Sequence, residues 1–128
     1  MLHESRRIYG RAKKLSMDSL RQAFAQLPYV KIALLFGSRA GENSAVREQS
    51  DYDFAVLMDK SQPCSWGHIA RLRIELGECL ALPDEDFDLV DLDMVTPELM
   101  ESIEKQYRIL KGDSHAVRSL FEEYHQDC

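Results

Sequence analysis

The sequence predicts a small α/β (α+β) domain in which helices flank a three- to four-stranded mixed sheet. Three observations predict it. The chain has 128 residues, which is one domain's worth. Stretches with helical apolar spacing alternate along it with short β-rich runs. Pro28, Pro63, Pro83 and Gly112 fall between these stretches, where the chain must turn. No repeat, low-complexity tract or linker interrupts the series, so residues 1–128 read as a single domain.

Ile8, Ala12, Leu15, Leu20, Ala23, Phe24 and Leu27 recur on one face between arginines and lysines, which predicts an amphipathic helix from Ile8 to Leu27 that Pro28 stops. The run YVKIALLFGS follows, apolar on both faces and ending at a glycine. It reads as a buried strand. RAGENSAVREQS has no periodicity and reads as a loop, and DYDFAVLM as a second strand with its acids at the start. Ile69, Leu72, Leu76 and Leu80 line a second helix ending before Pro83, with Ser65 as its expected N-cap and Gly77 weakening it slightly.

EDFDLVDLD reads as a third strand. Thr96, Pro97 and Glu98 supply a cap, a proline at the first helical position and an acid beside the helix dipole, so a third helix runs to about Gln106. YRILK is a short last strand. Gly112, Asp113 and Ser114 then break the chain before a terminal helix with Val117, Leu120, Phe121 and Tyr124 inward. Phe121 and Tyr124 have two readings, core packing or contact with a partner.

Composition narrows the function classes. Hydrophobic residues make up 45% and charged residues 30%, an ordinary globular balance. Sixteen basic against 22 acidic residues give a net charge of −6, which disfavours direct binding to a phosphate backbone. Cys64, Cys79 and Cys128 form no CxxC pair, and no His or Cys stands near enough to suggest a zinc site. Reduced thiols, no apolar signal segment and no membrane-length apolar run lead to the expectation of a cytoplasmic protein without membrane contact.

The informative stretch is LLFGSRAGENSAVREQSDYDFAVL. Gly37 and Ser38 follow a buried strand directly, where a glycine lets backbone approach a ligand and successive amides can cradle phosphates. Asp51 and Asp53 lie two residues apart in an extended chain. They therefore share a face, about 6.6 Å apart, with Tyr52 pointing the other way. Paired carboxylates suit Mg²⁺ held together with substrate phosphates. A third acid from FDLVDLD would complete the set, and strand parity leaves Asp88 and Asp91 as alternatives. Two-metal sites of this type support in-line displacement at phosphorus.

These pieces resemble the Gly-Ser, spacer, Asp-x-Asp signature of the DNA polymerase β-like nucleotidyltransferase superfamily. In length and in the ordered pieces GSRAG, SDYDFAVL, DFDLVDLD and YRILKGD, the chain is similar to the superfamily's minimal nucleotidyltransferase (MNT) branch. The resemblance implies that Gly37 and Ser38 bind nucleotide phosphates and that Asp51, Asp53 and Asp88 hold Mg²⁺, with Asp88 as the third catalytic carboxylate. Arg39, next in the turn, is either a phosphate contact or an ordinary exposed loop arginine. One departure stands out. The spacer from Arg39 to Ser50 has twelve residues, longer than the family's usual loop, a change that is cheap in chain entropy but alters how the loop meets the nucleotide.

The resemblance also implies a partner and a reaction. Members of the MNT branch serve as antitoxins to HEPN-domain ribonucleases, transferring AMP from ATP to a toxin tyrosine. Two rivals remain at this level: an antitoxin that neutralises by binding alone, and a nucleotidyltransferase acting on a small molecule or an RNA end. The short chain and acidic surface argue against the last. His3 and His68 have no partner at ligand spacing and read as structural. Asp84, Glu85 and Asp86 read as a solvated charge run, and Asp91 and Asp93 as facing solvent or a loop.

Overall fold

The computed structural model describes residues 15–40, 52–61 and 67–126, with Ser38, Arg39 and Gln126 described by their backbone. The elements in chain order are α1 (Met17–Ala25), β1 (Val30–Phe36), a 3₁₀ turn (Gly37–Ala40), β2 (Tyr52–Met58), α2 (His68–Leu80), a second 3₁₀ turn (Asp84–Asp86), β3 (Phe87–Asp91), α3 (Pro97–Lys105), β4 (Tyr107–Lys111) and α4 (Ser114–Gln126). The strands lie in the order β3-β2-β1-β4. β1 runs antiparallel to both β2 and β4, and β2 parallel to β3. The end of β1 therefore meets the starts of the other three strands at one end of the sheet. The mixed four-stranded sheet is the architecture the sequence predicts.

The helices sort onto two faces by strand parity. Val30, Ala33, Leu35, Phe54, Val56 and Phe87 point toward α1 and α2, where Leu20, Phe24, Leu72 and Leu76 meet them. Ile32, Leu34, Phe36 and Ala55 point toward α3 and α4, where Met100, Ile103, Val117 and Phe121 close a second core. β1 is buried on both sides except at Lys31, which is why it reads as a continuous apolar run. Phe121 is core, packed 5.3 Å from Tyr107. The half-buried Tyr124 donates its hydroxyl toward the Val95 carbonyl at 3.4 Å.

Three local expectations are corrected. The first helix begins at Met17, because the Ser16 hydroxyl accepts the Ser19 N–H at 3.1 Å and caps it. Leu15 lies outside it, sending its N–H to the Tyr52 hydroxyl at 2.8 Å, and Ile8 and Ala12 are outside the described residues. The helix also ends at Ala25, and Leu27 is buried beyond it. At α2 the cap position belongs to Gly67, with no side-chain bond; Ser65 lies outside the described residues. Asp86 is buried rather than solvated, because it ends the Asp84–Asp86 turn next to the buried Phe87 that opens β3. By contrast Thr96 caps α3 as expected, accepting the Leu99 N–H, with Pro97 next.

Candidate active site

The site forms at the end of the sheet where β1 stops. Phe36, the last residue of β1, pairs with Asp53 on β2, and Asp53 pairs with Asp88 on β3. Register partners on neighbouring strands point to the same face, about 4.8 Å apart. Asp53 and Asp88 thus stand side by side on the α3/α4 face, Asp53 half-buried and Asp88 exposed. Asp91 is the opposite case. By parity it shares a face with Phe87 and Leu89, and its carboxylate accepts the Asp93 N–H at 3.0 Å. The register places Asp88 beside Asp53, and Asp91 serves the turn after β3. Asp93 is exposed and pairs with Lys60 at 2.7 Å.

Gly37 turns the chain immediately past Phe36 with φ +80°, a left-handed conformation that disfavours a side chain. A Cβ built there would lie 2.7 Å from Oδ2 of Asp53. The glycine is thus needed twice, for its backbone angle and for the space the carboxylate occupies. The backbone of Ser38 and Arg39 continues in the 3₁₀ turn, which ends at the buried Ala40. Asp51 lies outside the described residues. Tyr52 points away from the carboxylates, as parity requires, and is buried on the α1/α2 side.

A cleft of about 360 Å³ opens at this end, lined by Ala40, Glu104, Lys105, Gln106, Tyr107 and Arg108. Sequence patterning does not single these residues out, because they come together from a turn, a helix end and a strand start. A second cleft of equal volume, between α1 and the end of α2, includes Cys79 but no acidic residue. Charge, not size, separates the two. His68 is structural, its ring stacked 5.8 Å from that of Tyr29.

Hard oxygen donors on neighbouring strands, beside a glycine turn, fit a divalent cation that also engages phosphates. Asp53 and Asp88 supply the described donors. Among the described residues no cluster of three His, Cys, Asp or Glu side chains has metal-binding geometry. No helix there is long and apolar enough to cross a membrane.

The chain and its fold have relatives among known proteins. The chain is 30% identical over 90 residues to the protein adenylyltransferase MntA of Aphanizomenon flos-aquae (strain 2012/KM1/D3), a stretch covering 66% of this chain and 59% of that protein. The match therefore spans about three-fifths of the length of that curated relative. Among solved structures, a toxin–antitoxin MntA–HpeT mutant is 27% identical, with a TM-score of 0.61 and 89% of each chain covered. The complex of a tri-AMPylated Shewanella oneidensis HEPN toxin with MNT antitoxin shares the fold at 21% identity, a TM-score of 0.56 and 88% coverage of each chain. A toxin–antitoxin with AMP-PNP shares it at 23% identity, a TM-score of 0.59, and 88% and 89% coverage. The family model described as Polymerase beta, Nucleotidyltransferase matches residues 18–116, from α1 into α4, and the chain belongs to that nucleotidyltransferase family.

Proposed function

We propose that this chain is a cytoplasmic antitoxin that transfers AMP from ATP to a tyrosine of a cognate HEPN ribonuclease and so silences it. The observation that carries the reading is the side-by-side placement of Asp53 and Asp88, with the Gly37 turn packed against the Asp53 carboxylate. The resemblance to a protein adenylyltransferase supports the choice of acceptor class.

In this reading Gly37, Ser38 and Arg39 receive the triphosphate, the amides of the turn facing its oxygens. Asp51, Asp53 and Asp88 hold Mg²⁺, which when bound supplies charge stabilisation to the attacking and leaving oxygens. Asp88, the exposed carboxylate on β3, is also placed to take the proton of the attacking phenol. The phenolic oxygen forms a bond to the α-phosphorus, the bond to the β-phosphate bridge breaks, and pyrophosphate leaves with that electron pair. The added nucleotide blocks the ribonuclease site by bulk and repels RNA by charge. The acceptor surface belongs to the partner, which suits a chain with no second domain among its described residues.

The test incubates this chain with its cognate HEPN ribonuclease, Mg²⁺ and ATP labelled at the α- or the γ-phosphate, with Asp53→Asn as control. Protein-bound α-label that disappears in the variant supports AMP transfer. Transfer of γ-label would mean phosphorylation and overturn the reading. Neutralisation that persists in Asp53→Asn with no label transferred would mean that contact alone is sufficient.

A further inference from the structure

The Gly37–Ala40 turn is held from outside itself. At its start the β1 ladder fixes it, through Phe36 paired with both Asp53 and Tyr107. At its end the Ala40 methyl is buried in the α1/α2 core. Its carbonyl accepts a hydrogen bond of 3.1 Å from Nε of Arg108, a half-buried residue 68 positions away on β4. Arg108 pairs with Leu35 in the ladder, so its stem starts from a fixed point one residue short of the end of β1. A guanidinium bonded through Nε has its plane set by that contact, because the group is rigid and planar.

We infer that Arg108 is a positioning residue for nucleotide binding: it fastens the last carbonyl of the turn to β4 and so holds the turn's amides toward the phosphates. The proposal rests on the reading that this turn receives the triphosphate. It assigns Arg108 no contact with the reacting atoms. A turn freed at its last residue samples orientations in which its amides no longer converge, and each encounter with ATP must then reorder it. The loss falls on ATP binding, not on the displacement step or on the toxin.

The experiment compares Arg108→Ala, Arg108→Lys and Val117→Ala, the last a core truncation on the opposite face that lowers stability without touching the turn. Amide hydrogen exchange on the free chain is read peptide by peptide, and transfer kinetics are measured against both ATP and toxin. Arg108→Ala is expected to raise exchange across Gly37–Ala40 and the KM for ATP by about ten-fold, the scale of one charge-assisted hydrogen bond. KM for the toxin and kcat stay within about two-fold. Arg108→Lys, which can still donate but without the planar fork, falls between. Val117→Ala, by lowering global stability, raises exchange evenly over the chain with no excess at the turn.

Unchanged exchange at the turn in Arg108→Ala overturns the proposal, as does a uniform rise over the whole chain matching that in Val117→Ala. A fall in kcat with an unchanged KM for ATP overturns it too. Should the wild-type chain bind no ATP while the turn still loosens in Arg108→Ala, the phosphate reading fails and the fastening of the turn by Arg108 stands alone.

Discussion

The two ends of the sheet handle charge in opposite ways. At the end where β1 starts, unlike groups meet. The Tyr29 hydroxyl donates to one Glu75 oxygen at 2.7 Å, and Arg71 Nε donates to the other at 3.1 Å. The Arg71 guanidinium lies 4.2 Å over the Tyr29 ring, and Lys111 Nζ donates to the Leu27 carbonyl at 2.7 Å. At the end where β1 stops, two carboxylates are set side by side and a left-handed glycine is pressed against one of them. Pairing unlike groups stabilises the chain. Carboxylates aligned in register suit a shared cation or proton, and in the proposed function the second arrangement serves chemistry rather than folding.

Substitutions at the two ends therefore separate activity from stability. The largest effect is expected for Asp53→Asn and Asp88→Asn. Each should lower transfer on the order of 10²- to 10³-fold, the scale for removing one charge-stabilising group from a reacting centre. The fold should survive, with far-ultraviolet dichroism unchanged and cooperative unfolding retained, because Asp53 is only half-buried and Asp88 is exposed. Cooperative unfolding lost in either variant would break the comparison, since it would make the carboxylates structural.

Gly37→Ala comes next, and it is expected to damage both properties. A left-handed alanine costs about 1–2 kcal/mol. Its methyl must also displace the Asp53 carboxylate, which leaves no room at 2.7 Å. Denaturant titration should show the stability loss and the label assay a loss of transfer greater than that loss explains. Wild-type stability with full transfer would mean that the turn can relax away from β2.

Much of this geometry was legible in the chain and some was not, for reasons that differ by residue. β1 and β2 could be read because a strand buried on both faces leaves a continuous apolar run, and Thr96-Pro97 because a cap is a local device. Gly37 was readable by its place after a strand, though not its contact with Asp53. Parity reduced the third carboxylate to Asp88 or Asp91 and the resemblance favoured Asp88; which of them stands beside Asp53 depends on strand order and register, which no local pattern encodes. Local periodicity carried the first helix through Ser16, where a hydroxyl capping the next turn stops it. The tie from Arg108 to Ala40 crosses 68 positions and leaves no trace in spacing. Asp51, the remaining carboxylate of the motif, lies outside the described residues.

At the opposite end, Tyr29→Phe should leave transfer intact and lower stability by about 1 kcal/mol at neutral pH, the worth of one hydrogen bond. Its pH dependence sharpens the point. The bond from Tyr29, and then Arg71, holds the Glu75 carboxyl below the ordinary carboxylate range. A carboxyl depressed on folding contributes stability that is present above its unfolded pKa and lost as pH falls through its folded one. The gap between wild type and Tyr29→Phe should therefore be full at pH 7 and close on the acid side, as Glu75 is protonated. A gap independent of pH down to acid unfolding would assign the loss to ring packing instead.

The smallest effect is expected at a contact as short as that between Tyr29 and Glu75. Lys60 and Asp93 meet at 2.7 Å beyond the ends of β2 and β3, but their side chains are 73% and 37% exposed. Water and salt screen such a pair, and ordering two side chains offsets most of what it gains. Lys60→Ala should leave the melting temperature within measurement scatter at physiological salt, and transfer unchanged. A clear drop that disappears at high salt would show that this tie holds the end of β3 in register. In that case the register that sets Asp88 beside Asp53 would depend in part on charge at the far end, and the two ends could no longer be treated as independent.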